Sequence, residues 1–346
     1  MTVDVLVIGA GNQGLALAGH LANEGLSVGL WNRTQCNIQK LIQIPTVHLH
    51  GVFETKVSLS IATSNIDQVD SKLIYITVPT DAHDDIARIL TPKISNDTVI
   101  ILSPGRTFGA LNFQQQLLQN GCIYKPRIFE TQTIIHTARL LTSNSVHIYA
   151  LKNNVLISSL HNEIDWFDYM PKCLKRFYKP VDSYIYTSLG NVGLVLHCIP
   201  TLLNIGCVES PNVSFKYYID GISPTIARMI EAIDRERISV GKALGYSLLS
   251  TKEWMQEAYG IKGSTLYECI QNNDNYKELL APNTKNHRYI LEDVPNGLVP
   301  LEYLAKSLGI SCRMTTLSVD IANAIMEKDF REIGRKFTIR DLKVYE

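Results

Sequence analysis

The stretch Val3-Asp4-Val5-Leu6-Val7-Ile8-Gly9-Ala10-Gly11-Asn12-Gln13-Gly14 decides the first half of the fold. Its β-branched opening reads as a buried strand, and the glycines that follow fit the spacing G-x-G-x-x-G. The first glycine permits a tight turn, the second lets backbone approach a pyrophosphate, and the third lets a helix pack on the strand. From Gln13 to Asn23, Leu15, Ala18, Leu21 and Ala22 fall at helical spacing, and Ser27 to Trp31 reads as a second strand. Strand, glycine turn, helix and strand is the context in which this spacing binds a dinucleotide, because the helix N-terminus offers N–H groups to phosphate. Gly9, Gly11, Asn12, Gln13 and Gly14 are therefore expected to hold the cofactor.

The end of the second strand bears on which dinucleotide is bound. An acid there would hydrogen-bond the ribose 2′-hydroxyl of NAD. The chain instead has Asn32-Arg33-Thr34, with Lys40 further on. Arg33 suits stacking on adenine or forking onto a 2′-phosphate, with Thr34 donating. NADP is expected in preference to NAD; the plainer alternative for Arg33 is a solvated surface arginine. Asn32 and Pro79, at the ends of neighbouring strand-like runs, complete the expected cofactor set.

The alternation continues outward. Lys72 to Val78 and Thr98 to Leu102 read as strands, Asp81 to Leu90 and Ala110 to Gln119 as helices, and Val146–Leu151 and Val155–Leu160 as strands closing the sheet. Beyond about residue 175 helical patterns dominate: Ser188–Asn204, Thr225–Leu244, Leu298–Leu308 and Thr315–Lys328. The expected fold is an α/β Rossmann-like N-terminal domain with a parallel sheet over 1–175, a junction near 165–185, and a mostly α-helical C-terminal domain over 176–346. The polar stretch Asn272–Lys285, with Pro282, reads as irregular.

Composition narrows the class. The 346 residues suit two cores, with 45% hydrophobic and 19% charged residues and no net formal charge. Nucleic-acid or membrane partners would favour a basic excess, so neither is expected. The seven cysteines are odd in number and none has CxxC spacing. They read as reduced thiols of a cytoplasmic protein. The start of the chain lacks the features of a signal peptide. The apolar run Val192–Cys207, interrupted by His197, Pro200 and Asn204, reads as a buried helix. His83, His136 and His147 have no metal-like grouping, and no metal is expected.

Later segments carry a more specific signal. Leu189-Gly190-Asn191-Val192-Gly193-Leu194-Val195-Leu196-His197-Cys198-Ile199-Pro200 resembles a helix of the opine dehydrogenase (octopine/nopaline dehydrogenase) family. Tyr218-x-x-Gly221-Ile222-Ser223-Pro224 followed by Ile233-Asp234-Arg235-Glu236-Arg237, Arg288-Tyr289-Ile290-Leu291-Glu292-Asp293-Val294-Pro295, and Asp329-Phe330-x-x-x-Gly334-Arg335 resemble that family's later segments. Ser103-Pro104-Gly105-Arg106-Thr107 and Glu130-Thr131-Gln132-Thr133 do so in the first half. The overall size is similar to the shorter crown-gall opine synthases. A departure is Ile134-Ile135-His136, where relatives often carry an apolar-Pro-aromatic stretch.

The resemblance implies a reductive condensation: an amino acid adds to an α-keto acid, water is lost, and NAD(P)H reduces the imine to a secondary-amine dicarboxylate. It implies His197 as acid/base, Asp293 as its orienting partner and Arg288 as a carboxylate clamp, with Thr107, Gln132 and Asn191 near substrate. The expected partners are these small molecules, with a homodimer as the candidate assembly. Read by itself, a histidine in an apolar helix is a satisfied core residue, and Arg288 an ion pair to Glu292 or Asp293. Asn204 shares a helical face with His197; it is counted as a substrate contact, the alternative being a buried backbone group that it satisfies. Asp234-Arg235-Glu236-Arg237 reads as a solvated or domain-facing ion-pair network.

Two other functions fit the first domain. A β-hydroxyacid or polyol-phosphate dehydrogenase would share Gly9–Gly14 but place a lysine on the central helix, and Ser188–Asn204 has none. A non-enzymatic NADP-binding redox sensor would need no acid/base group.

Overall fold

Strand β1 (Val5–Ile8) is buried along its whole length in the computed structural model, which describes residues 1–161 and 166–343, without the side chains of Trp166 and Phe167. An unbroken apolar run suits a strand covered on both faces, the pattern of parallel sheets. Helix α1 (Asn12–Asn23) carries the chain back to β2 (Val28–Trp31), which pairs parallel to β1 with Val5 opposite Val28 and Ile8 opposite Trp31. After β3 (Thr46–Gly51) and β4 (Thr55–Ser58), β5 (Ile61–Thr63) joins the outer edge of β2. The chain then crosses to the other side of β1 and lays down β6 (Leu73–Ile76), β7 (Val99–Leu102) and β8 (Arg127–Thr131), connected by helices α2 (His83–Leu90) and α3 (Gly109–Gln119). Strands β9 (His136–Thr142), β10 (Ser145–Leu151), β11 (Val155–Ser159) and β12 (Tyr178–Pro180) complete the first unit.

The main sheet has eight strands in the order β12-β11-β8-β7-β6-β1-β2-β5. It is mostly parallel; β11 runs antiparallel to β8. Strand order reverses at β1, between β6 and β2, and open α/β sheets take ligands at the carboxyl end of such a switch point. That end is Gly9–Gly14.

The expectation that Val146–Leu151 closes this sheet is corrected: only β11 joins it. β10 lies in a second sheet of order β4-β3-β10-β9. The reason is the alternation along β3 and β10, where buried Val47, Leu49, Val146 and Ile148 are separated by half-buried residues. One-sided strands pair with one another over a single apolar face. That face receives α1, whose Gly19 leaves the space taken by Leu49: a Cβ there would lie 2.5 Å from Leu49 Cδ2.

The first unit extends to Ser188 and the second begins at Leu189, later than the expected boundary near 175. The cause is β12, which pairs with β11, and the buried carboxylate of Glu130 at the end of β8. Its Oε2 accepts the Ala110 N–H at 2.9 Å, and its Oε1 accepts the Thr187 hydroxyl at 2.7 Å and the Ser188 hydroxyl. Residue 165, at the start of the expected junction, and 344–346 lie outside the described residues.

The second unit is helical. Its main helices are α4 (Gly193–Leu203), α5 (Pro224–Ala243), α6 (Val299–Ser307) and α7 (Arg313–Met326). The run Tyr184–Leu203 has the length and composition to cross a membrane, but 83% of its apolar 18-residue window is buried inside the protein, as for a core helix. Of the two readings of 234–237, a solvated or domain-facing ion-pair network, the ion pair is present but is not solvated at Asp234 and Arg237, while Arg235 is exposed. Asp234 and Arg237 are buried, one helical turn apart on the inner face of α5. Arg237 forks onto Asp234 at 2.7 and 2.9 Å and donates to the carbonyls of Leu189 and Leu249. Asp234 also accepts the Thr251 N–H and hydroxyl, so the buried pair is fully hydrogen-bonded. Glu236 takes the N–H groups of Met314 and Thr315, capping α7.

One buried contact in the first unit gives a pH dependence. His20 Nδ1 of α1 lies 3.0 Å from His136 Nε2 of β9. Burial pushes both imidazoles below the ordinary histidine range; Glu24 opposes and Arg176 adds to the effect at His20, while His20 and Lys152 depress His136 further. A folded-state value below the unfolded one means that protonation favours unfolding. Stability is then full above the unfolded value of about 6.5 and is lost as the pH falls below it. The melting temperature is expected to decline from pH about 6.5 downward, less steeply in His136→Leu. A melting temperature equally flat through that window for both proteins would contradict the assignment.

Candidate active site

The glycine turn fits a dinucleotide for steric reasons. Gly9 has φ +104°, and a Cβ there would lie 2.8 Å from Val78 Cγ1. At Gly14 a Cβ would lie 1.7 Å from the Gly9 carbonyl oxygen, so only glycine lets α1 start against the turn. At Gly11 a Cβ would meet nothing within 4 Å, which leaves room beside the helix N-terminus for a pyrophosphate. No side chain caps α1 and no acid lies in its first turn. The N–H groups there suit an anion.

The other expected cofactor residues lie around this turn. Asn32 Oδ1 accepts the Ala10 N–H at 3.1 Å and its amide donates to the Thr34 carbonyl, tying β2 to the loop. Thr34 is exposed beside it. Arg33 is 58% exposed, with Nη1 2.7 Å from Asp85 Oδ2. Pro79 is exposed just past β6. Asn12 places Oδ1 2.8 Å from the Leu140 N–H, so its side chain holds β9. Gln13 lines a small cavity with Thr77, Ser103, His136 and Tyr178.

Thr107 and Gln132 are buried on adjacent loops of the same unit, joined by the Gly105 N–H to Thr131 carbonyl bond. Thr107 sits between two residues in the left-handed region, Arg106 at φ 61° and Phe108 at φ 57°. Such strain needs support; the Ser188 hydroxyl accepts the Phe108 N–H at 3.0 Å, and Glu130 holds the next residues.

In the second unit, His197 Nδ1 lies 2.8 Å from Asp293 Oδ2, with 15% and 1% of the side chains exposed. Two features of the sequence produce this contact. Pro200 has no N–H to give the Leu196 carbonyl. The Tyr217 hydroxyl fills that place, 3.3 Å from the Leu196 oxygen and 2.6 Å from the His197 oxygen, and Thr201 donates to His197 as well. The turn that carries His197 is thereby fixed. Opposite it, Val294–Leu298 forms a π-helical turn, in which the Leu298 N–H reaches back to the Asp293 carbonyl. Gly297 lets this turn press on α4: a Cβ there would lie 2.7 Å from Leu194 Cβ.

Sequence reasoning passed over Tyr289. Its ring stacks on His197 with centroids 4.0 Å apart and planes at 17°. The signal available was its position next to Arg288; the stacking itself depends on how the short helix Arg288–Leu291 meets α4. Arg288 places Nε 3.1 Å from Glu292 Oε2 and remains 46% exposed. Asn191 accepts the Gly193 N–H at 3.1 Å and so starts α4. Asn204 takes the second of its two roles. Its amide donates to the carbonyls of Pro200 at 2.8 Å and Gly221 at 2.9 Å, closing the end of α4.

The arrangement matches known proteins in both halves. A family model described as NAD/NADP octopine/nopaline dehydrogenase, alpha-helical domain, matches residues 180–326, and one described as ketopantoate reductase PanE/ApbA matches residues 5–105. The opine dehydrogenase of Arthrobacter sp. (strain 1C) is 33% identical over 333 residues, covering 95% of this chain and 92% of that protein. The chain belongs to the opine dehydrogenase family. It is a nicotinamide-nucleotide-dependent oxidoreductase acting on CH–NH bonds, and its chemistry at the level of the family is opine-type reductive condensation. Among solved structures, octopine dehydrogenase with NADH and agmatine has a TM-score of 0.78 at 18% identity, covering 94% of this chain and 90% of that one. NADP+-bound yersinopine dehydrogenase has a TM-score of 0.78 at 14% identity, covering 99% and 95%. These likenesses show the fold. Family membership displaces both the β-hydroxyacid or polyol-phosphate dehydrogenase and the redox-sensor readings.

If His197 is the acid/base group, His197→Ala should lower kcat by a factor on the order of 10² or more, with the melting temperature kept within a few degrees. Near-wild-type turnover in a folded variant would remove His197 from the chemistry.

Proposed function

We propose that the chain is an NADPH-dependent opine synthase that joins the amino group of an amino acid to the carbonyl carbon of an α-keto acid. The hydrogen-bonded pair His197–Asp293 carries this reading, because the reaction needs a proton held at one atom and delivered there. Nδ1 is engaged by Asp293, and Nε2 of His197 is the atom assigned to substrate protons. It accepts a proton as the amine adds to the carbonyl and returns one to the hydroxyl that leaves as water, giving the imine. Asp293 holds the ring in one orientation. Stacking on Tyr289 restrains the ring against rotation. Arg288, at 46% exposure, exchanges part of its bond to Glu292 for a bidentate bond to a substrate carboxylate. A reduced nicotinamide, when bound, supplies the two electrons that turn the C=N bond into the secondary amine.

Arg33 supports NADPH over NADH, since a guanidinium at the end of β2 suits a 2′-phosphate and no carboxylate of that strand end is present to hold a ribose hydroxyl. The seven free cysteines support work in the reducing cytoplasm.

The reading is tested by a matrix of amino acids against α-keto acids, following NADPH oxidation and detecting products by mass. At least one pair is expected to yield a product equal to the two substrates less water plus two hydrogens. Consumption of NADPH with a keto acid alone, giving the hydroxy acid, would overturn the proposal. Arg33→Ala is expected to raise the KM for NADPH several-fold more than that for NADH; equal changes would overturn the NADPH preference.

A further inference from the structure

The guanidinium of Arg33 is already engaged. Its Nη1 lies 2.7 Å from Oδ2 of Asp85, a residue 52 positions away in sequence, at the start of α2. The other oxygen of that carboxylate lies 3.0 Å from Nη2 of Arg88, one turn along the same helix. One carboxylate thus serves two guanidiniums. The neighbouring Asp84 is turned elsewhere, accepting from the Asn112 amide at 2.8 Å.

All three side chains are open to solvent, at 58% for Arg33, 47% for Asp85 and 62% for Arg88. Exposed ion pairs are weak and exchange partners without disturbing the fold. Hydrogen bonding from Arg88 does most to hold the Asp85 carboxyl below its usual range, and Arg33 adds to it, so the carboxylate stays charged at neutral pH.

A 2′-phosphate and the Asp85 carboxylate ask the same thing of Arg33: a planar fork of donors opposite two anionic oxygens. They also repel each other. NADH carries no such phosphate and so brings no second anion to compete for Arg33. We propose that Asp85 is a specificity-determining residue that sets the margin between NADPH and NADH by competing with the 2′-phosphate for Arg33. Arg88 works in the opposite direction. It gives the displaced carboxylate a second partner and so eases the exchange. This inference rests on the reading of Arg33 as a 2′-phosphate ligand.

The test is direct binding: titration of NADPH and NADH by nicotinamide fluorescence, and of 2′,5′-ADP by calorimetry, which reports the phosphate contact without turnover. Asp85→Asn is expected to tighten NADPH and 2′,5′-ADP by about two- to fivefold and to shift the NADPH-to-NADH ratio of Kd by a similar factor. Arg88→Ala is expected to weaken both phosphate-bearing ligands. On an Arg33→Ala background both effects should vanish. If Arg33→Ala weakens NADPH while Asp85→Asn leaves the ratio unchanged, the competition is overturned and the cofactor reading stands. If Arg33→Ala leaves NADPH binding unchanged, the cofactor reading fails and the competition with it.

Discussion

The hydrogen bond between His197 and Asp293 is the contact around which the second unit is arranged. It joins a helix to a turn far along the chain, and each partner is held by a backbone irregularity. On the His197 side, Pro200 breaks the regular hydrogen bonding and Tyr217 restores it from outside the helix. On the Asp293 side, a π-helical turn widens the backbone and Gly297 allows the close approach. The two side chains meet at 2.8 Å between these two irregular segments. The deviations from helical regularity therefore accompany the hydrogen-bonded pair on both sides.

The first unit solves a different problem, which is to leave space and free N–H groups at one end of a strand. Gly9 and Gly14 are excluded from bearing side chains by contacts already made, while Gly11 opens onto empty space. The second sheet, packed on α1, fixes that helix from behind through Leu49 and the His20–His136 contact. Glu130 anchors the strained loop around Thr107 with its buried carboxylate.

Much of this was legible in the sequence, for identifiable reasons. The glycine spacing and the apolar runs are local signals, and β1, α1 and β2 follow from them. The apolar spacing of 188–204 gave a buried helix, and resemblance to the family, rather than spacing, supplied the roles of His197 and Asp293. Long-range pairing was not legible. β3 and β9 are half-polar stretches whose identity as strands depends on each finding β10. The charge run at 234–237 reads as surface until the partners Thr251, Leu189 and Leu249 surround it. Asp85 gives no sign in the sequence that it meets Arg33, and Tyr289 none that it stacks on His197.

The central claim is that this chain reduces a C=N bond formed from an amine and a keto acid. It is tested most directly by turnover with NADPH deuterated at nicotinamide C4 and location of the label by NMR and mass. The account predicts one deuterium in the coupled product, on the carbon that was the keto carbon and now bears the secondary nitrogen. Deuterium recovered instead in a free 2-hydroxy acid, with no labelled coupled product, would contradict it.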